Sequence, residues 1–214
     1  MKPQRIDYSL YLVTDRGLSR GRPTLEIVTA AVSGGVTCVQ LREKTASTRE
    51  FIREALKLIE YLRSVRVPLI INDRLDVALA VGADGVHLGR NDMPLAMARA
   101  IADDRMIIGI SVESLEDAVT AAAGGADYLG ASPIYQTPTK TDTAPALGVA
   151  GLRAIRQAVS LPLVGIGGLH QGNAAEIIRN GADGVAMVSA IVATQDPLQA
   201  ARGLKGVIAR ARQQ

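Results

Sequence analysis

Along the chain, apolar runs of three to five residues alternate with longer stretches in which apolar positions recur at helical spacing. The runs fall at 10–14, 38–41, 69–72, 85–88, 106–110, 128–130, 163–166 and 184–188. Between and after them, helical patterns lie near 24–34, 47–65, 75–81, 94–102, 114–124, 149–159, 172–180 and 197–211. The pattern predicts eight strand–helix pairs. Strands that are apolar at nearly every position need cover on both faces, which is the condition of a parallel sheet flanked by helices.

The ends of the helical stretches carry their own signals. Ser47 followed by Glu50 forms a Ser-x-x-Glu capping box, and Ser114 precedes acids in a first turn. Glycine marks the stops at Gly34-Gly35, Gly82, Gly124-Gly125 and Gly181. Gly-Ala-Asp followed by an apolar run occurs at Gly82-Ala-Asp84, Gly125-Ala-Asp127 and Gly181-Ala-Asp183, with Gly35-Val-Thr37 as a degenerate fourth copy. The copies recur at every second strand–helix pair, a two-unit block repeated four times. Eight such units closing on themselves make an α/β fold, a single compact (β/α)8 TIM barrel covering 1–214 as one domain. The competing architecture is a doubly wound open sheet, but no Gly-x-Gly-x-x-Gly follows the first strand to support it.

Hydrophobic residues make up 48% of the chain and aromatics only 3%, so the core must be built from Ala, Val, Leu and Ile. So few aromatic rings argue against a nucleic-acid binder that stacks bases. The net charge of +3 is spread along the chain, which suits a small anionic substrate without demanding a polyanion. One cysteine, Cys38, excludes an internal disulfide framework, and its apolar surroundings predict a buried, inert thiol. The N-terminal residues show no secretory pattern and no long uncharged apolar stretch follows, so a cytoplasmic protein without a membrane span is expected. Its size is compatible with a monomer or a homodimer.

In a barrel of this kind the chemistry gathers where strands end. The second run ends in Gln40-Leu-Arg42-Glu-Lys44, where alternation puts Gln40, Arg42 and Lys44 on one side. An amide beside two cations suits a diphosphate and a heterocycle edge; the alternative is a solvated charged loop. Asp73 and Asp92 follow the third and fourth runs. Two carboxylates at neighbouring strand mouths suit Mg²⁺ with substrate oxygens and water, or each simply caps the next helix. Ser111 ends the fifth run, and Thr137, Thr139 and Lys140 crowd a loop after the sixth. Gly165-Ile-Gly-Gly168 after the seventh run and Val188-Ser189 after the eighth describe a barrel phosphate site, or turns that merely need glycine. His87 reads as a satisfied interior histidine and His170 as an exposed one. No nucleophilic triad stands out, and two histidines make zinc improbable.

Taken in order, these motifs resemble the thiamine-phosphate synthase family. The matching segments are Tyr11-Leu-Val-Thr-Asp15, Val39-Gln-Leu-Arg-Glu-Lys44, Ile71-Asn-Asp-Arg74, Asp84-Gly-Val-His-Leu-Gly89 with Asp92, Gly109-Ile-Ser111, Thr137-Pro-Thr-Lys140, Gly165-Ile-Gly-Gly168 and Gly184-Val-Ala-Met-Val-Ser-Ala-Ile191. The resemblance implies a transferase that joins a hydroxymethylpyrimidine diphosphate to hydroxyethylthiazole phosphate, giving thiamine phosphate and pyrophosphate. It implies Asp73 and Asp92 as Mg²⁺ ligands. It makes Arg42, Lys44, Asn72, Ser111 and Lys140 diphosphate holders and Gln40 the residue that positions the pyrimidine. It gives the thiazole phosphate to Thr137, Thr139, Gly168, Val188 and Ser189.

Three positions depart from the family pattern: Glu113 where His is frequent, Arg90 where Gln is frequent, and Ser132 where Gly is usual. Glu113 would repel a diphosphate unless it points away or joins the metal, and Ser132 would alter its loop if that position needed a positive φ. A related thiazole tautomerase and a non-catalytic phosphate-ligand sensor are the competing activities. The intact acidic pair and the missing His favour the synthase.

Overall fold

The computed structural model of the chain describes residues 6–137 and 145–213. Among these, eight parallel strands close into a barrel in sequence order. They are β1 (Leu10–Val13), β2 (Cys38–Leu41), β3 (Leu69–Asn72), β4 (Gly85–Leu88), β5 (Ile107–Val112), β6 (Tyr128–Ala131), β7 (Leu163–Ile166) and β8 (Gly184–Met187). β8 returns to β1 with Leu10 opposite Val185, so no edge strand remains and the open doubly wound alternative is set aside.

The helices are α1 (Thr24–Gly34), α2 (Thr48–Ser64), α3 (Leu75–Val81), α4 (Leu95–Ala102), α5 (Leu115–Ala123), α6 (Gly148–Ala158), α7 (Ala174–Arg179), α8 (Ser189–Val192) and α9 (Pro197–Ala211). α2 shows why the pattern was readable. Ser47 and Glu50 close the capping box, and Phe51, Ala55, Leu58, Ile59 and Leu62 form the buried stripe. α8 has no counterpart in the periodicity, because one turn is too short to show a period. β5 extends two residues beyond its expected end: Ser111 and Val112 pair with Gly130 and Ala131, so Ser111 lies within the strand. No helix among the described residues is long and apolar enough to cross a membrane.

The fourfold repeat has a mechanical cause. Asp84 donates its backbone N–H to the carbonyl of Leu69, and its carboxylate accepts the N–H of the same residue at 2.8 Å. Asp127 makes the same reciprocal pair with Ile108, and Asp183 with Leu163. In the degenerate copy the Thr37 hydroxyl accepts from the Leu10 N–H at 3.1 Å while the Thr37 N–H donates to the Leu10 carbonyl. Each even-numbered strand is thus tied to the start of the odd strand before it. Arg99 and Arg156 brace Asp127 and Asp183 from outside.

Two apolar layers result. The larger lies between the barrel and its helices, and a smaller one fills the barrel floor with Tyr8, Tyr11, Cys38, Ile70, Ile107, Tyr128, Val164 and Ala186. Three of the chain's five tyrosines sit there. Glycine makes the room: a Cβ on Gly109 would fall 2.1 Å from Cζ of Tyr128. Cys38 is fully buried, and burial raises its thiol well above the ordinary range, as expected of an inert residue.

Replacing Asp84 by Ala leaves the Leu69 N–H without its side-chain acceptor and is expected to cost about 1–3 kcal/mol. Asp84→Asn keeps an acceptor oxygen and should recover most of that loss. Urea denaturation of the two variants measures the difference, and equal stabilities would show that the reciprocal pair does not tie the strands.

Candidate active site

At the C-terminal ends of the strands lies a cavity of about 860 Å³. Gln40, Arg42, Lys44, Asn72, Asp73, Asp92, Ser111, Thr137, Gly168, Val188 and Ser189 all line it. Thr139 and Lys140 lie outside the described residues. The barrel therefore brings every described candidate to one cavity.

Charged groups from β2, β3 and β4 make one side. Arg42 reaches Asp15 at 2.7 Å, and both side chains are mostly buried. Lys44 contacts Asp73 at 2.5 Å. Asp73 follows β3 with φ of 65°, a left-handed conformation that Asp tolerates better than most residues. Asp92 accepts the N–H of Gly89 at 2.6 Å, which folds the loop after β4 back on itself. The Asp73 and Asp92 carboxylates both line the cavity, near enough for each to feel the other's charge. Burial raises Asp92 above the ordinary carboxylate range, the Gly89 N–H opposes the rise, and the nearby Asp73 adds to it. Neither acid caps a helix: the N-cap residues of α3 and α4 are Arg74 and Pro94, and neither makes a side-chain cap hydrogen bond. The capping alternative is set aside.

Between this charged side and the barrel floor lies a buried polar layer. Gln40 Nε2 donates to the Tyr11 hydroxyl at 2.9 Å, and Tyr11 and Tyr128 share a hydrogen bond at 2.9 Å. His87 Nδ1 meets the Tyr128 hydroxyl at 2.9 Å, and its Nε2 meets Ser111 Oγ at 2.9 Å. His87 is satisfied, as its position in a strand suggested, yet it also lines the cavity. Burial pushes both tyrosines well above their ordinary range, so they stay protonated. Asn72 is different. It is 8% exposed, and its Nδ2 has no partner. A buried amide donor left unmade costs about 1–3 kcal/mol, which a ligand acceptor in the cavity would recover.

Across the barrel, β7 and β8 offer backbone. Gly167 and Gly168 hold φ of 101° and 65°, and a Cβ on Gly168 would fall 2.8 Å from Cβ of Tyr135. Glycine is required there for the turn and for the close approach together. Asn173 fixes the turn by donating to the Gly168 carbonyl at 3.0 Å.

Two of the departures resolve together: Arg90 and Glu113 pair at 3.6 Å on the rim, so Glu113 meets a cation. Ser132 does not adopt a positive φ, so no glycine is needed there. Sequence reasoning missed Asp15, Tyr11 and Tyr128 as parts of the site. The usable signal was compositional: a chain with five tyrosines and one phenylalanine places two tyrosines on strands at inward positions.

Comparison with known proteins agrees over nearly the whole chain. Residues 10–191 match the family described as thiamine monophosphate synthase. A thiamine-phosphate synthase from Chloroflexus aurantiacus is 54% identical over 203 residues, covering 95% of this chain and 94% of that protein. One from Albidiferax ferrireducens is 55% identical over 199 residues, covering 93% and 91%. The solved thiamine phosphate pyrophosphorylase from Pyrococcus furiosus superposes with a TM-score of 0.89 at 40% identity, covering 96% of this chain and 97% of that one. The closed barrel, the cavity at its strand ends and these similarities together establish that the chain belongs to the thiamine monophosphate synthase family of transferases.

Proposed function

We propose that the chain condenses 4-amino-5-hydroxymethyl-2-methylpyrimidine diphosphate with hydroxyethylthiazole phosphate, forming thiamine phosphate and releasing pyrophosphate. The observation that carries this reading is the cavity's two-ended build. Arg42, Lys44 and the acidic pair stand on β2 to β4, while the Gly167-Gly168 turn and Ser189 face them from β7 and β8. Two phosphate-bearing substrates can enter with their anions apart and their reacting atoms in the middle.

The chain's own residues fit a divalent cation. Asp73 and Asp92 both line the cavity, and among the described residues the lining side chains carry three cations, Arg42, Lys44 and Arg90, and three carboxylates, Asp73, Asp92 and Glu113. Among the described residues no three metal-binding acids or histidines gather. Two carboxylates with water and phosphate oxygens completing the shell suit Mg²⁺. When bound, Mg²⁺ would neutralise charge on the diphosphate and make it a better leaving group.

The residues divide the remaining work. Arg42, oriented by Asp15, would hold the diphosphate with Lys44, Asn72, Ser111 and Lys140. Gln40 would set the pyrimidine plane. Thr137, Thr139, Gly168, Val188 and Ser189 would hold the thiazole phosphate. The bond between the methylene carbon and the diphosphate oxygen breaks, and its electron pair leaves with pyrophosphate. The lone pair on the thiazole nitrogen then forms the new C–N bond. That nitrogen carries no proton, so no general base is required. The site's contribution is position and field.

Purified protein given both substrates should release pyrophosphate with Mg²⁺ and stop with EDTA. No release under any divalent metal would overturn the reading. Asp92→Ala should lower kcat/KM at least about 100-fold, in line with losing transition-state charge stabilisation. Full activity with unchanged Mg²⁺ dependence would remove Asp92 from the metal site. Asn72→Ala should reduce turnover about tenfold or more while changing stability by less than about 1 kcal/mol, because its donor is unpaired without ligand. A large stability loss would instead make Asn72 a structural residue.

A further inference from the structure

The buried chain Gln40–Tyr11–Tyr128–His87–Ser111 joins two points of the cavity wall through four hydrogen bonds, each 2.9 Å. Gln40 is 4% exposed, and Tyr11 and Tyr128 are 1% and 0% exposed, so water does not substitute for the links through Tyr11, while His87 and Ser111 are half-buried. Each hydroxyl has one hydrogen to give, and a neutral imidazole gives one and accepts one. The chain can therefore run in only two directions if every link is made and neither buried tyrosine hydrogen is left unpaired. In one, Gln40 donates, each hydroxyl passes a hydrogen on, and His87 Nε2 donates to Ser111. In the other, Ser111 donates to His87 Nε2 and the last hydroxyl donates to the Gln40 carbonyl. The two directions leave opposite groups for the cavity.

We infer that this relay runs from Gln40 to Ser111 and makes the protein select a heterocycle bearing an exocyclic amino group over its oxo counterpart. The inference rests on the proposed function, which places an anion beside Ser111. Ser111 must then give its one hydrogen to the anion, and it cannot also donate to His87. Nε2 of His87 must carry the proton, so Nδ1 accepts from Tyr128. Tyr128 in turn accepts from Tyr11, and Tyr11 accepts from the Gln40 amide. Gln40 is left with its carbonyl oxygen for the ligand. A ring presenting N–H to that oxygen is held, and a ring presenting C=O is opposed by it. Anion recognition on β5 and ring recognition on β2 become one constraint, carried by residues that need not touch the anion. Tyr11, Tyr128 and His87 are positioning residues in this scheme. Gly109 and Gly130 belong to it as well: a Cβ on either would fall 2.1 Å from Tyr128 Cζ or 3.0 Å from His87 Cε1.

Two measurements on the full chain test the relay. The first is ¹⁵N NMR of the histidines at pH 8, alone and with inorganic pyrophosphate and Mg²⁺, with His170→Gln used to assign the signals. His87 should carry its proton on Nε2, with Nδ1 bare. A proton on Nδ1, or on both nitrogens, overturns the relay whether or not the protein turns over thiamine precursors. Absence of turnover, in contrast, overturns only the activity. The second is calorimetric binding of the 4-amino and 4-oxo forms of the pyrimidine diphosphate without the thiazole partner. The native protein should prefer the amino form at least about 100-fold, the scale for a site built around a specific hydrogen bond. Tyr11→Phe, which frees the Gln40 amide to turn, should shrink that preference to about tenfold or less. Tyr128→Phe cuts the chain one link later and should do the same while disturbing the His87 tautomer. A preference that survives both variants unchanged shows that Gln40 is oriented by something other than the relay.

Discussion

Eight strands of four to six residues can enclose a usable interior only if their registers agree around the ring, and here that agreement is tied at the strand starts. Thr37, Asp84, Asp127 and Asp183 each bond, through backbone and side chain, to one residue of the preceding strand. With register set there, parity does the rest. Tyr11, Gln40, Asn72, Ser111 and Tyr128 all turn inward because each stands an even number of residues from an inward floor position or is one, and His87 meets Tyr128 and Ser111 among them. A slip of one residue on any strand would turn its member outward and replace it with a leucine, isoleucine or valine. The same ties therefore hold the fold and assemble the cavity wall.

The interior that results is polar in a layer where most barrels of this kind place aliphatic side chains. Such a layer is stable only when its groups satisfy one another, and four links accomplish that for Gln40, Tyr11, Tyr128, His87 and Ser111. Asn72 stands outside the arrangement with an unmade donor. The contrast separates two kinds of polar residue. Those in the chain support the wall through one another, whereas the Asn72 Nδ2 takes no part in that support.

Charge at the mouth follows a similar economy. Arg42 rests on Asp15, Lys44 on Asp73 and Arg90 on Glu113, so each of these three cations has an acidic partner. The Arg90–Glu113 pair shows how two departures from a family pattern can be one change. Either substitution alone would leave an unbalanced charge at the rim; together they form a contact at 3.6 Å. Being exposed on the arginine side, this pair contributes little to stability.

The local pattern by itself determined the element order, the barrel class and most candidate residues. Strand and helix periods, capping at Ser47 and the Gly-Ala-Asp repeat are written within a few residues of one another, where backbone sterics and burial act directly. Tertiary structure decided the partnerships. Sequence left Asp73 and Asp92 open between capping and cation binding; the fold gives the N-caps to Arg74 and Pro94 and turns both acids to the cavity. Nothing in the order of residues joins Tyr11 to Tyr128 across 117 positions, or Arg42 to Asp15 across 27. Those contacts exist because barrel closure brings distant strands to one axis, and distance along the chain carries no record of which side chains will meet there.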